Sequence, residues 1–171
     1  MERAAERDEV LSVYAHKPGG TVSVEKIEAV LSAAGDLGLD FVTYADLAAG
    51  GPPRAGLSLS FDDAHVDEWF EIRELLAGHG ARVTFFVTRF DHLSEERRAK
   101  LHELAGDGHS IEAHGLRHLD APEYVEESGL AAYMDDEALP SIQLLREDGF
   151  EPVAYAYPFG SRTGELDRAL L

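Results

Sequence analysis

The chain has 171 residues, 44% of them hydrophobic, no cysteine and a formal net charge of −18, which is apolar material enough for one domain of ordinary core size. Without cysteine there are no disulfides and no thiolate metal site, and the acidic balance argues against nucleic acid or an anionic membrane surface, whose phosphates call for basic patches. No signal-peptide pattern and no apolar run of membrane-spanning length of about 18 residues is present, so a soluble chain without a membrane span is expected, its compartment left open.

Glu9 to Ala15 reads as a strand ending in His16 and followed by a Lys17-Pro18-Gly19-Gly20 turn. Between Val24 and Leu37, Ile27, Val30, Leu31 and Ala34 recur at helical spacing, and Phe41-Val42-Thr43 reads as a short strand. Gly50-Gly51-Pro52-Pro53 reads as a loop. In the next run Leu57, Leu59 and Phe61 alternate with Ser58, Ser60 and Asp62, the pattern of a strand whose C-terminal end presents Asp62 and Asp63 to solvent. Neighbours on a strand point to opposite sides, so the two acids are expected to do different jobs. Either could instead cap the helix that follows, which carries Val66, Trp69, Phe70, Arg73, Leu76 and Ala77 on one face and ends near Gly78 and Gly80. Ser94 opens another helix, packed by Leu101 and Leu104 and stopped by Gly106; Ala131 to Glu147 is a long helix interrupted by Pro140, and Pro152 to Tyr157 is a last strand. This alternation predicts a mostly parallel sheet, open or closed, with its sites at strand C-termini.

His114 and His118 are four residues apart, and on a helical turn they would project from one face. Two imidazoles and one carboxylate give three protein ligands to a zinc-like ion and leave a position open for water. His79, His92 and His102 fall in glycine-rich, loop or amphipathic contexts and read as surface residues.

Together these segments resemble the polysaccharide deacetylase family, the NodB-homology or carbohydrate esterase family 4 domain. Its first motif is matched by Ser60-Phe61-Asp62-Asp63, its second by Gly108-His109-Ser110-Ile111 followed by His114 and His118, and its third by Tyr157-Pro158-Phe159-Gly160, with Val83 to Val87 as the second core strand. The resemblance implies an α/β fold: a distorted, incomplete (β/α)-barrel with a mostly parallel sheet, short at the C-terminus, residues 1–171 forming one such domain. It implies one divalent ion, zinc by preference, on Asp63, His114 and His118, with Asp62 as general base and Tyr157, Pro158 and His65 near substrate. The activity implied is hydrolysis of an amide carbon–nitrogen bond, removal of N-acetyl groups from an N-acetylglucosamine-containing polysaccharide. A small non-sugar amide as substrate, or a carbohydrate-binding relative without turnover, are the alternatives.

Two departures matter. The family's third motif begins with an arginine that pairs with the base, where this chain has Ala156, with Arg162 as a substitute; and the family's terminal Leu-His segment, source of the general acid, does not occur before Leu171. A circularly permuted subset, including biofilm poly-N-acetylglucosamine deacetylases, takes its acid histidine from a first strand. By that resemblance His16 becomes the general acid, with His65 as competitor.

Overall fold

The computed structural model describes residues 1–50 and 55–171. The loop expected at Gly50-Gly51-Pro52-Pro53 therefore lies, from Gly51 onward, outside the described residues. The strands are β1 (Val10–Ala15), β2 (Asp40–Phe41), β3 (Gly56–Asp63), β4 (Thr84–Val87) and β5 (Ser110–Ala113). The helices are α1 (Glu2–Arg7), α2 (Val24–Asp36), α3 (Tyr44–Ala48), α4 (Val66–Glu71), α5 (Arg73–Gly78), α6 (Glu95–Gly106), α7 (Ala121–Ser128), α8 (Leu130–Tyr133), α9 (Leu139–Glu147) and α10 (Gly164–Leu170). The described strands form one parallel, unclosed sheet in the order β1-β3-β4-β5, with β2 beside the first residues of β3. Parallel strands need helical crossovers, and the open sheet with its helices is an incomplete (β/α)-barrel. Among the described residues no helix is long and apolar enough to cross a membrane.

The pleat divides the labour. Leu59 and Phe61 of β3, Phe85 of β4 and Ile111 of β5 belong to the main core with Trp69, Leu76, Leu101 and Leu104. Phe61 and Phe85 stack at 5.7 Å, and Trp69 stacks on Phe85 at 5.1 Å. The alternate positions, Phe86 apart, are polar but also buried: Ser58, Ser60, Thr84, Ser110 and Glu112. The serine-leucine alternation of β3 therefore marks an interior of mixed polarity rather than a wet face, because both faces of a parallel sheet are covered.

Local chemistry sets several boundaries differently from the sequence pattern. β2 stops at Phe41 because Thr43 caps α3, accepting from the Asp46 amide while Asp46 accepts from the Thr43 amide, a reciprocal capping box. The helix after the acid pair is two segments, α4 and α5, meeting at Ile72, and its N-cap is His65 without a capping side chain. Neither Asp62 nor Asp63 caps it. The expected strand Pro152 to Tyr157 reduces to one bridge between Ala113 and Tyr155. The expected helix over 131–147 is α8, a π turn at Met134–Ala138, and α9. Pro140 sits in the first turn of α9 rather than breaking it. Having no N–H, it leaves the carbonyl of Asp136 to another donor, and the Arg117 guanidinium lies 3.4 Å from that oxygen.

His109 gives the fold a pH dependence. Its ring is buried against Phe85, centroids 5.5 Å apart, and its Nδ1 accepts the Val83 amide proton at 3.1 Å, which requires the neutral form. Burial pushes the imidazole down from 6.5 to about 4. Between those pH values the unfolded chain binds the proton more readily than the folded one. The stability from neutral His109 is thus complete above pH 6.5 and lost as pH falls toward 4, about 3 kcal/mol in all. His109→Asn, which keeps an acceptor and cannot titrate, should flatten the difference between urea unfolding at about pH 4.5 and 7.5 by most of that amount, the part already lost at the lower pH; an identical pH profile in both proteins would refute the assignment.

Candidate metal centre and active-site cleft

The C-terminal ends of β1, β3 and β5 open into one cavity of about 800 Å³, lined by His16, Ser60, Asp62, Asp63, His114 and His118 among others. The register explains the gathering. Ala15 is level with Phe61, so His16 follows where β3 continues to Asp62; Asp63 pairs with Val87, which pairs with Ala113, so His114 follows beside Asp63.

Strand alternation would send Asp62 and Asp63 to opposite sides, yet both line the cavity. The backbone at Asp63 has φ +89, outside the strand region and uncommon for a residue other than glycine, so the alternation fails at the last residue of β3. The HxxxH is likewise not helical. His114 to Asp120 is irregular chain, and Gly115 (φ +77) and His118 (φ +65) both take left-handed conformations that fold it back on itself. The result still brings the rings together, at 4.9 Å and 74°.

Asp63, His114 and His118 each offer a ligand atom, all within 4.8 Å of one another. Asp63 Oδ1 lies 3.2 Å from His118 Nε2 and 3.7 Å from His114 Nε2. A tetrahedral ion with ligands at about 2.0–2.1 Å spaces its donors by roughly 3.3 Å, so the set fits a zinc-like ion. The His114 tautomer fits as well. Its Nδ1 is 2.9 Å from the Ala156 carbonyl, which only accepts, so the proton is on Nδ1 and the Nε2 lone pair is free.

The two acids differ in environment. Burial pushes the Asp62 carboxyl above the ordinary range, against the opposing influence of the nearby His114 and His16 imidazoles. The neighbouring His114 imidazole, and then that of His118, hold Asp63 below it. Ser60 Oγ lies 3.4 Å from Asp62 Oδ1. Arg162 lines the same cavity, but its guanidinium is paired with Asp167 rather than with Asp62.

Among the remaining expected site residues, His16 is fixed through its carbonyl, which accepts from the indole N–H of Trp69 at 2.9 Å. Tyr157 lines the cavity, whereas Pro158 is buried and is not among its lining residues. His65 is not among the lining residues; its Nε2 lies 3.6 Å from Asp63 Oδ2. Sequence reasoning missed two buried carboxylates behind the site, Glu112 and Glu137. Glu112 Oε2 accepts from the Val153 and Ala154 amides at 2.7 Å each, which ties the chain leading to Ala156 against β5 where a full strand would have paired. An acid inside the apolar run Ile111 to Ala113 was a readable signal for Glu112. For Glu137, in the run Asp135-Asp136-Glu137, there was none.

A parallel α/β sheet that brings a carboxylate-and-two-imidazole cluster, with a further carboxylate beside it, to its strand C-termini is an arrangement that could hold a divalent ion for hydrolysis. The polysaccharide deacetylase family matches residues 49–170, the greater part of the chain, and the protein belongs to that family of metal-dependent hydrolases. Among solved structures the chain is similar to IcaB from Ammonifex degensii, with 19% identity and TM-score 0.74 over 95% of this chain and 78% of that one. It is also similar to a de-N-acetylase from Aggregatibacter actinomycetemcomitans, at 17% identity and TM-score 0.73 over 95% and 83% of the respective chains. A third is Streptococcus pyogenes deacetylase PplD in complex with acetate, at 17% identity and TM-score 0.70 over 95% and 78%. At these identities the likeness is one of fold. No curated protein matches the sequence.

Proposed function

We propose that this chain, acting as a single deacetylase domain, removes N-acetyl groups from an N-acetylglucosamine-containing polysaccharide with one divalent ion, zinc by preference, held by Asp63, His114 and His118. The observation that carries the reading is the convergence of those three donors, within 4.8 Å of one another, in the same cavity as the uncoordinated Asp62. The family and the de-N-acetylase named among its structural neighbours support the reaction class. A divalent ion there supplies Lewis acidity, polarising a carbonyl oxygen and making water acidic enough to ionise near neutral pH.

The chain's own residues do the rest. Asp62 takes the proton of the attacking water, a task that needs a carboxylate close to the ligand set but not part of it. Its raised affinity for protons, caused by burial, makes it the better base of the pair, while Asp63, held low by His114, remains the anionic ligand. Collapse of the tetrahedral adduct expels an amine, and His16, on the same cavity wall, delivers its proton. The cavity, with Tyr14, Tyr44, Phe86, Tyr157 and Phe159 on its walls, offers apolar ring faces alongside its polar groups, as a sugar requires.

The test is acetate release from an N-acetylglucosamine oligomer. Turnover is expected to vanish when the protein is stripped with a chelator and to return on adding about one equivalent of zinc or another divalent ion. Full activity of the stripped protein, or none from the reloaded one, would contradict the proposal.

A further inference from the structure

The loop that carries the two imidazoles is held from behind by a group outside the ligand set. Glu137, on the π turn between α8 and α9, has a side chain with no exposed surface. Its Oε2 accepts from the Arg117 amide at 2.9 Å and its Oε1 from the Leu119 amide at 3.0 Å, the residues on either side of His118. Its own carbonyl accepts from the Leu116 amide at 3.2 Å. On the far side Thr88 Oγ1 donates to the Gly115 carbonyl at 2.8 Å. A carboxylate buried this completely is costly unless its lone pairs meet donors, and here the donors are the main chain of the histidine loop.

The fit extends to Gly115. A Cβ there would stand 2.4 Å from Glu137 Oε1, and the residue's φ is +77, so the loop approaches the carboxylate as closely as it does only because that position is glycine. Single π turns inserted in α-helices are frequent at functional sites because they re-aim side chains. This one puts Glu137 inward while its neighbour Asp136 faces out and accepts from the Tyr124 hydroxyl at 2.7 Å.

We propose that Glu137 is a positioning residue: its carboxylate clasps the amides of Arg117 and Leu119 and thereby holds His118, in its strained left-handed conformation, at the distance from Asp63 and His114 that a divalent ion needs. The inference rests on the metal-site reading above and adds to it a residue that touches neither ion nor substrate. Ionised Glu offers two acceptors to two N–H donors. Gln, of the same shape, would turn one of them into a donor facing a donor.

The test titrates the whole chain and three variants with Co²⁺, whose ligand-field spectrum reports donor geometry. E137Q and G115A attack the same contact from its two sides. Both are expected to weaken Co²⁺ binding by about tenfold or more, the cost of losing a partner behind a ligand, and to change the spectrum. D136N, on the same π turn, is expected to stay within about twofold of wild type, since its carboxylate is bonded to the Tyr124 hydroxyl and not to the amides that Glu137 holds. Amide exchange of Arg117 and Leu119 in the metal-free wild-type protein reads the clasp without the ion and is expected to be slow. Wild-type affinity and spectrum in E137Q, or fast exchange of those amides in the wild type, overturns the clasp alone. A wild-type chain that takes up no Co²⁺ overturns both the clasp and the metal reading.

Discussion

His114→Ala and His118→Ala are each expected to reduce divalent-ion affinity by more than about 100-fold, because each would remove one of the three proposed protein donors, whereas partners one step behind a ligand already cost about 10–100-fold. Asp63→Asn is expected to do the same by removing the only anionic donor of the cluster. The two histidines differ in what else they lose. His114 is buried, and its removal also leaves the Ala156 carbonyl without its N–H partner, so His114→Ala should lower the melting temperature of the metal-free protein as well. His118 is half-buried and pays a left-handed backbone that alanine would inherit, with no comparable buried polar partner at stake. Metal content after exhaustive dialysis, measured beside the melting curve, separates the effects. Full occupancy in a His114→Ala, His118→Ala double variant would remove the site from consideration.

The parts of this arrangement that sequence makes legible are those encoded locally. An alternating run ending in two acids reads as β3, and the helical faces of α2, α4 and α6 read from their leucines and from Trp69. The HxxxH is legible as spacing but not as conformation: a helical turn and the folded-back loop with Gly115 at φ +77 and His118 at φ +65 bring imidazoles together equally well, and spacing alone cannot tell them apart. Strand alternation likewise breaks at Asp63, where the backbone leaves the β region, so two acids expected on opposite sides share one cavity. The last expected strand fails because Glu112, not a neighbouring backbone, takes the Val153 and Ala154 amides, a pairing across about forty residues that no local pattern carries. Glu137 is hidden for a similar reason. In an acidic chain a run of three acids reads as a solvated surface, and only the π turn decides which of them faces inward.

The acid and the base can be told apart by the leaving group. Asp62→Asn leaves Asp63, His114 and His118 intact and so keeps the ion, but removes the proton acceptor for the attacking water; turnover on an acetamide should fall by about 10²–10⁴. His16→Ala should keep the ion and lose turnover to a similar degree for a different reason. The adduct of water with an amide reverts unless the nitrogen is protonated as it leaves, and His16 lines the same cavity as Asp62 with its main chain pinned by Trp69. An aryl acetate removes that demand, because a phenolate leaves without a proton. On such an ester His16→Ala should recover most of the wild-type rate while Asp62→Asn stays slow, since activation of water is still required. If His16→Ala is as slow on the ester as on the amide, its imidazole serves binding or structure rather than proton delivery. If it is as fast as wild type on the amide, the general-acid role passes from His16 to His65, whose Nε2 stands 3.6 Å from Asp63, and the same pair of substrates applied to His65→Ala decides it.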